Sequence, residues 1–75
     1  MRAYVLINTR IGEELQVLRT LRGAAGVMRA DRTFGTYDAI AEVEATDLAA
    51  IGNLVFEAIR ATPGVADTLT CLAVE

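Results

Sequence analysis

Histidine, serine, lysine and tryptophan are all missing from the 75-residue chain, and cysteine and proline occur once each. These gaps exclude whole classes of chemistry. Without His and Ser, neither a Ser–His–Asp triad nor a Cys–His pair can form within the chain. His-based metal sites and a Cys-x-x-Cys redox pair are likewise excluded, and no phosphate loop can end in Gly-Lys-Ser/Thr. A single cysteine allows no intrachain disulfide, which suits a reducing compartment. All seven cations are arginine and the net charge is −3, which leaves no basic face for nucleic acid. Long apolar runs are missing too. The run after Met1-Arg2, from Ala3 to Ile7, is too short for a signal peptide or a membrane span. The expectation is a soluble, cytoplasmic, non-catalytic domain with no cofactor and no metal.

What is present is apolar. The residues AVILMFWYC make up 53% of the chain. With glycine counted as well, the share lies well above the about 45–50% usual for soluble domains. The length allows one domain, residues 1–75, which buries only about 60% of the surface its unfolded chain exposes. So small a particle cannot hide that much apolar surface, and a second buried surface, most simply a partner subunit, is expected.

Ala3-Tyr4-Val5-Leu6-Ile7 reads as a strand with apolar residues on both faces. Gly12 stands where a helix cap belongs, Glu13 and Glu14 suit a first turn, and Ile11, Leu15, Leu18 and Leu21 recur at helical spacing. Arg19 and Arg22 suit the last turn, with Gly23 just beyond. Val27 to about Thr33 forms a second strand, Phe34-Gly35-Thr36 a turn, and Tyr37 to Ala45 a third strand, paired with the second as an antiparallel hairpin. Thr46-Asp47 opens a second helix, with Leu48, Ile51, Val55, Ala58 and Ile59 on one stripe and Phe56 off it as a candidate interface residue. Thr62-Pro63-Gly64 ends that helix, and Val65 to Val74 is the last strand. The order β-α-β-β-α-β with right-handed crossovers predicts an α+β, ferredoxin-like sandwich: a four-stranded antiparallel sheet with two helices on one face. The other face then lies bare and apolar, and pairing sheet to sheet into a dimer covers it.

Few residues can carry chemistry. Asp38, in Gly35-Thr36-Tyr37-Asp38, is placed to pair with a ligand ammonium while turn amides meet a carboxylate. The plainer reading is turn chemistry, with Gly35 at positive φ and Asp38 bonding local backbone. Tyr37 can stack on a ligand or cover a subunit boundary. Thr68 and Thr70 share one face of the last strand, either to hold a polar ligand or through strand propensity alone. Cys71, on the opposite face, reads as a small core residue. Arg29, Asp31 and Arg32 read as solvated or intersubunit pairs.

Taken in order, Val27-x-x-Ala30, Phe34-Gly35-x-Tyr37-Asp38, Asp47-Leu48, Pro63-Gly64-Val65 and Thr68-x-Thr70 resemble the ligand-binding domain of the Lrp/AsnC family, the module called RAM (regulation of amino acid metabolism). Arg2-Ala3-Tyr4-Val5-Leu6-Ile7 resembles the first strand of its stand-alone members. The resemblance implies dimers that pair through their sheets and assemble further, as an octamer or a similar ring. It also implies a small effector, commonly an amino acid, bound where dimers meet. Gly35, Tyr37 and Asp38 would then supply backbone groups and a carboxylate, and Thr68 and Thr70 hydroxyls from a neighbouring subunit. The chain opens directly on its first strand, with no helix-turn-helix domain. If the chain is complete, that implies a stand-alone sensor without direct DNA binding, one that joins or titrates full-length regulators of the family; if it is a piece of a longer chain, it implies such a regulator without its DNA-binding half. A purely structural oligomerisation domain and a small cofactor-free enzyme on the same fold are the alternatives. Against the enzyme stands the lack of any His, Ser, Lys or Trp to act as base, nucleophile or ring partner.

Overall fold

The computed structural model describes residues 1–74. Strand β1 (Arg2–Thr9) is followed by helix α1 (Glu14–Arg22), the hairpin strands β2 (Val27–Arg32) and β3 (Ala39–Glu44), helix α2 (Leu48–Leu54) and strand β4 (Val65–Leu72). A π-helical turn, Val55–Ile59, prolongs α2, and the Arg60 amide reaches back to the Val55 carbonyl at 2.8 Å. The sheet order is β2-β3-β1-β4 and every neighbouring pair is antiparallel. This is the expected ferredoxin-like arrangement.

Alternation along β1 sets the two layers. Ala3, Val5 and Ile7 are fully buried beneath the helices, and Ala39, Ala41 and Val43 of β3 lie beside them in register. The alanines keep the sheet surface low, so Val17, Leu18 and Leu21 of α1 and Ile51, Val55 and Ile59 of the second helix pack closely onto it. Asp47 caps α2 by accepting the Ala50 amide at 2.8 Å. Arg22, late in α1, donates from Nε to the Ala30 carbonyl on edge strand β2 at 2.8 Å.

Three local readings need correction. Gly12 does not cap α1. It sits at φ 85°, while Glu13 holds the cap position with no side-chain hydrogen bond. The buried stripe of α1 is Val17, Leu18 and Leu21, whereas Ile11 and Leu15 face solvent. Leu48 is exposed as well. Helical spacing reveals that a stripe exists, but the sheet beneath decides which residues it includes, and Ile11 and Leu48 lie beyond its reach. The third strand begins at Ala39, so Tyr37 and Asp38 belong to the turn.

Thr68, Thr70 and Leu72 pair with Ile7, Val5 and Ala3, which places them on the helix side of the sheet. Cys71 pairs with Tyr4 on the open side and is exposed, so it is not a core residue. On that open side Leu6 stands between Ile40 of β3 and Leu69 of β4, an aliphatic row across three strands. Leu69 keeps 48% of its surface exposed, and no element among the described residues covers the row.

Candidate functional site

The turn carrying Gly35, Tyr37 and Asp38 is built by its own polar groups. The Thr33 hydroxyl donates to the Tyr37 carbonyl at 2.6 Å, and the Thr33 amide to the Asp38 carbonyl at 3.0 Å. Gly35 has φ 154°, positive as expected, with open space around it. Asp38 then reaches across to the end of β1. Its amide donates to the Ile7 carbonyl at 2.9 Å, and its Oδ2 accepts the Thr9 amide at 2.8 Å and the Thr9 hydroxyl at 3.2 Å. The carboxylate therefore fastens the hairpin to β1, and the plainer reading needs correction: Asp38 Oδ2 bonds Thr9 on a neighbouring strand, 29 residues away, and not local turn backbone. Among the described residues Oδ1 has no protein donor. Tyr37 is half-buried in the same turn.

Asp38→Ala removes both contacts to Thr9 and is expected to lower stability by about 1–3 kcal/mol. At equal protein concentration this reads as a lower melting temperature; an unchanged one would show that the fastening contributes nothing.

Thr68 and Thr70 lie elsewhere. Ile7 pairs with Ala39 on one side and Thr68 on the other, so the Asp38 turn and Thr68 share one end of the sheet with β1 between them. Thr70 lines an apolar groove of about 340 Å³ between β4 and the second helix, together with Leu48, Ile51, Gly52, Val55, Phe56, Arg60 and Leu72. Thr68 lines an adjoining, more polar recess of about 320 Å³ with Arg60, Val65, Ala66 and Asp67. Neither cavity includes Gly35, Tyr37 or Asp38. One chain thus brings the five candidate residues into two groups, not one site.

Two participants escaped the sequence reading. Thr9, the partner of Asp38, lies 29 residues away from it, and no local pattern announces such a pairing. Arg60 stacks over the Phe56 ring at 5.5 Å. Phe56 stood out as lying off the helical stripe, and an arginine four residues on is a side-chain neighbour along a helix, a signal that was available. On the open sheet face Arg29 pairs with Asp31 at 3.0 Å with both side chains more than half exposed, an arrangement of little energetic weight. Among the described residues no group of three or more His, Cys, Asp or Glu converges as a metal site, and no helix is long and apolar enough to cross a membrane.

The chain matches the model of the Lrp/AsnC ligand binding domain over residues 2–75. Among curated proteins no relative matches. Among solved structures it is similar to FFRP-DM1, with 32% identity, 97% of each chain covered and a TM-score of 0.92. The hypothetical protein PHS023 of Pyrococcus horikoshii is 31% identical, with 99% of this chain and 89% of that one covered and a TM-score of 0.90. The transcriptional regulator NMB0573 of Neisseria meningitidis, solved as a complex with L-Met, is 17% identical and shares the fold with a TM-score of 0.87. The match covers 99% of this chain and 49% of that one.

Proposed function

The chain belongs to the Lrp/AsnC ligand-binding domain family, and on that premise we propose that it senses a small molecule, most simply an amino acid, and passes the signal to transcription through its assembly with other chains. The observation that carries this reading is the match to the ligand-binding domain over residues 2–75. The L-Met complex of the Neisseria regulator, on the same fold, supports an amino acid as effector.

The geometry supports a cleft shared between subunits. Gly35, Tyr37 and Asp38 form one wall, with Asp38 Oδ1 available to an ammonium group. Thr68 and Thr70, on the helix side of β4, form the wall contributed by a neighbour. Pairing through the Ile40–Leu6–Leu69 row makes the dimer from which larger rings, such as an octamer, are built. In this reading the chain is not an enzyme, and it works through full-length regulators of the family. Its net charge of −3 and lack of lysine argue against its gripping DNA phosphates itself.

Thermal melting in the presence of each common amino acid tests the reading. A ligand held only by the folded assembly stabilises it by about 2.7 kcal/mol when present at 100 times its Kd, so a binding amino acid raises the melting temperature. Asp38→Asn retains an acceptor for Thr9 and removes the charge, and is expected to abolish that rise. A rise that survives the substitution would take Asp38 out of the site, and no rise with any amino acid would leave a scaffold.

A further inference from the structure

The groove between the second helix and β4 has a composition of its own. Its floor and walls are aliphatic: Ile51 and Val55 from the buried stripe, with Leu48 and Leu72 at its exposed rim. At one end, where it runs into the polar recess beside Thr68, stands Arg60, which lines both cavities. The guanidinium lies over the Phe56 ring, an arrangement that holds a planar cation in place while leaving its N–H fork free. Among the described residues no carboxylate lies within ion-pairing distance of Arg60, and none accepts a hydrogen bond from its guanidinium. The π-helical turn Val55–Ile59 lies in the same wall, and such turns are found often at functional sites. A volume of about 340 Å³ is that of a small-ligand pocket.

We propose that this groove is a binding site for an amphipathic monocarboxylate, with the carboxylate on Arg60 and a branched or aromatic apolar body laid along Leu48, Ile51, Val55, Phe56 and Leu72. An arginine fork matches a carboxylate bidentately, Thr70 offers a hydroxyl beside it, and the aliphatic walls reward apolar area and no second charge. The site is complete within one chain. It therefore stands apart from the shared cleft at Asp38, with Thr70 the only residue common to both.

The test is a titration with phenylacetate, and with phenylacetamide as the neutral compound of the same shape, read on the methyl resonances of the intact assembly. Phenylacetate is expected to shift the Leu48, Ile51, Val55 and Leu72 methyls and to leave Ile11 unmoved, with phenylacetamide about tenfold or more weaker. Arg60→Gln should weaken phenylacetate by a similar factor, Arg60→Lys should restore part of the affinity, and Asp38→Asn should leave it unchanged. Equal binding of both compounds, or insensitivity to Arg60→Gln, would overturn the proposal. So would groove methyls that respond to dilution and not to phenylacetate, because the groove would then be covered by a second copy. Loss of effector response in Asp38→Asn alone concerns the shared cleft and leaves this site standing.

Discussion

Leu6→Glu is expected to release 8.0 kDa monomers from the dimer proposed to form through the open sheet face. Leu6 lies in the middle of the aliphatic row, in register with Ile40 and Leu69. Burying a leucine side chain is worth about 1.5–3 kcal/mol, and a two-fold contact buries it twice. The substitution removes that term and sets two carboxylates against an apolar surface, where unpaired charge is costly. The dimer dissociation constant should rise by at least about two orders of magnitude, at 1.4 kcal/mol for each factor of ten. Ile11→Glu is the control, because Ile11 is fully exposed away from the sheet, and it should leave the mass in sedimentation unchanged. An unaltered assembly in Leu6→Glu would mean that the chains meet through another surface.

The second large effect is on folding. Gly64→Ala places a methyl group at φ 98°, 2.8 Å from Val17 Cγ2 and 3.1 Å from Glu13 Cβ. The backbone conformation alone costs an L-residue about 1–2 kcal/mol. Val17 is fully buried and has little room to yield, and overpacking of this kind adds about 1–3 kcal/mol. The Gly64 carbonyl also accepts the Arg10 amide at 2.8 Å, so movement of the turn would strain the chain after β1. Against a total stability of about 5–15 kcal/mol, the sum is severe. Gly12→Ala separates the two terms: Gly12 has φ 85° but nothing within 4 Å of the added methyl, so it carries the backbone cost alone. Denaturant midpoints should fall clearly further for Gly64→Ala than for Gly12→Ala; equal losses would show that the crowding against Val17 is relieved at no cost.

How far the sequence was legible depends on the range of the interaction behind each feature. Asp47 as a cap, Arg19 and Arg22 before Gly23, and the hairpin around Phe34-Gly35 are decided within a few residues, and all stand in the structure. The order of elements and the handedness of crossovers then leave few folds to choose from. Faces are different. That Thr68 and Thr70 oppose Cys71 follows from alternation, but which of them looks at the helices depends on register with β1, at the far end of the chain, where Thr68 pairs with Ile7 and Thr70 with Val5. Cys71, expected in the core, lies exposed on the open side for that reason. The exposure of Ile11 and Leu48 has the same origin, since the extent of the sheet beneath a helix is not written in the helix.

The candidate site divides along the same line. Gly35, Tyr37 and Asp38 were readable as a group because a turn is local, yet the hold of Asp38 on Thr9 was not. Thr68 and Thr70 were readable as a pair, but not their place beside Arg60 and Phe56, because that groove exists only once β4 lies along the second helix. The π-helical turn left no trace in the spacing of the stripe, whose buried members Ile51, Val55 and Ile59 fit an ordinary helix equally well.

Native mass spectrometry of the purified chain, with and without a pool of the common amino acids, tests the central claim most directly. The expected result is an even-numbered assembly built from dimers that gains the mass of a single kind of amino acid in the presence of the pool. A folded monomer, or an assembly whose mass ignores every amino acid offered, would contradict it.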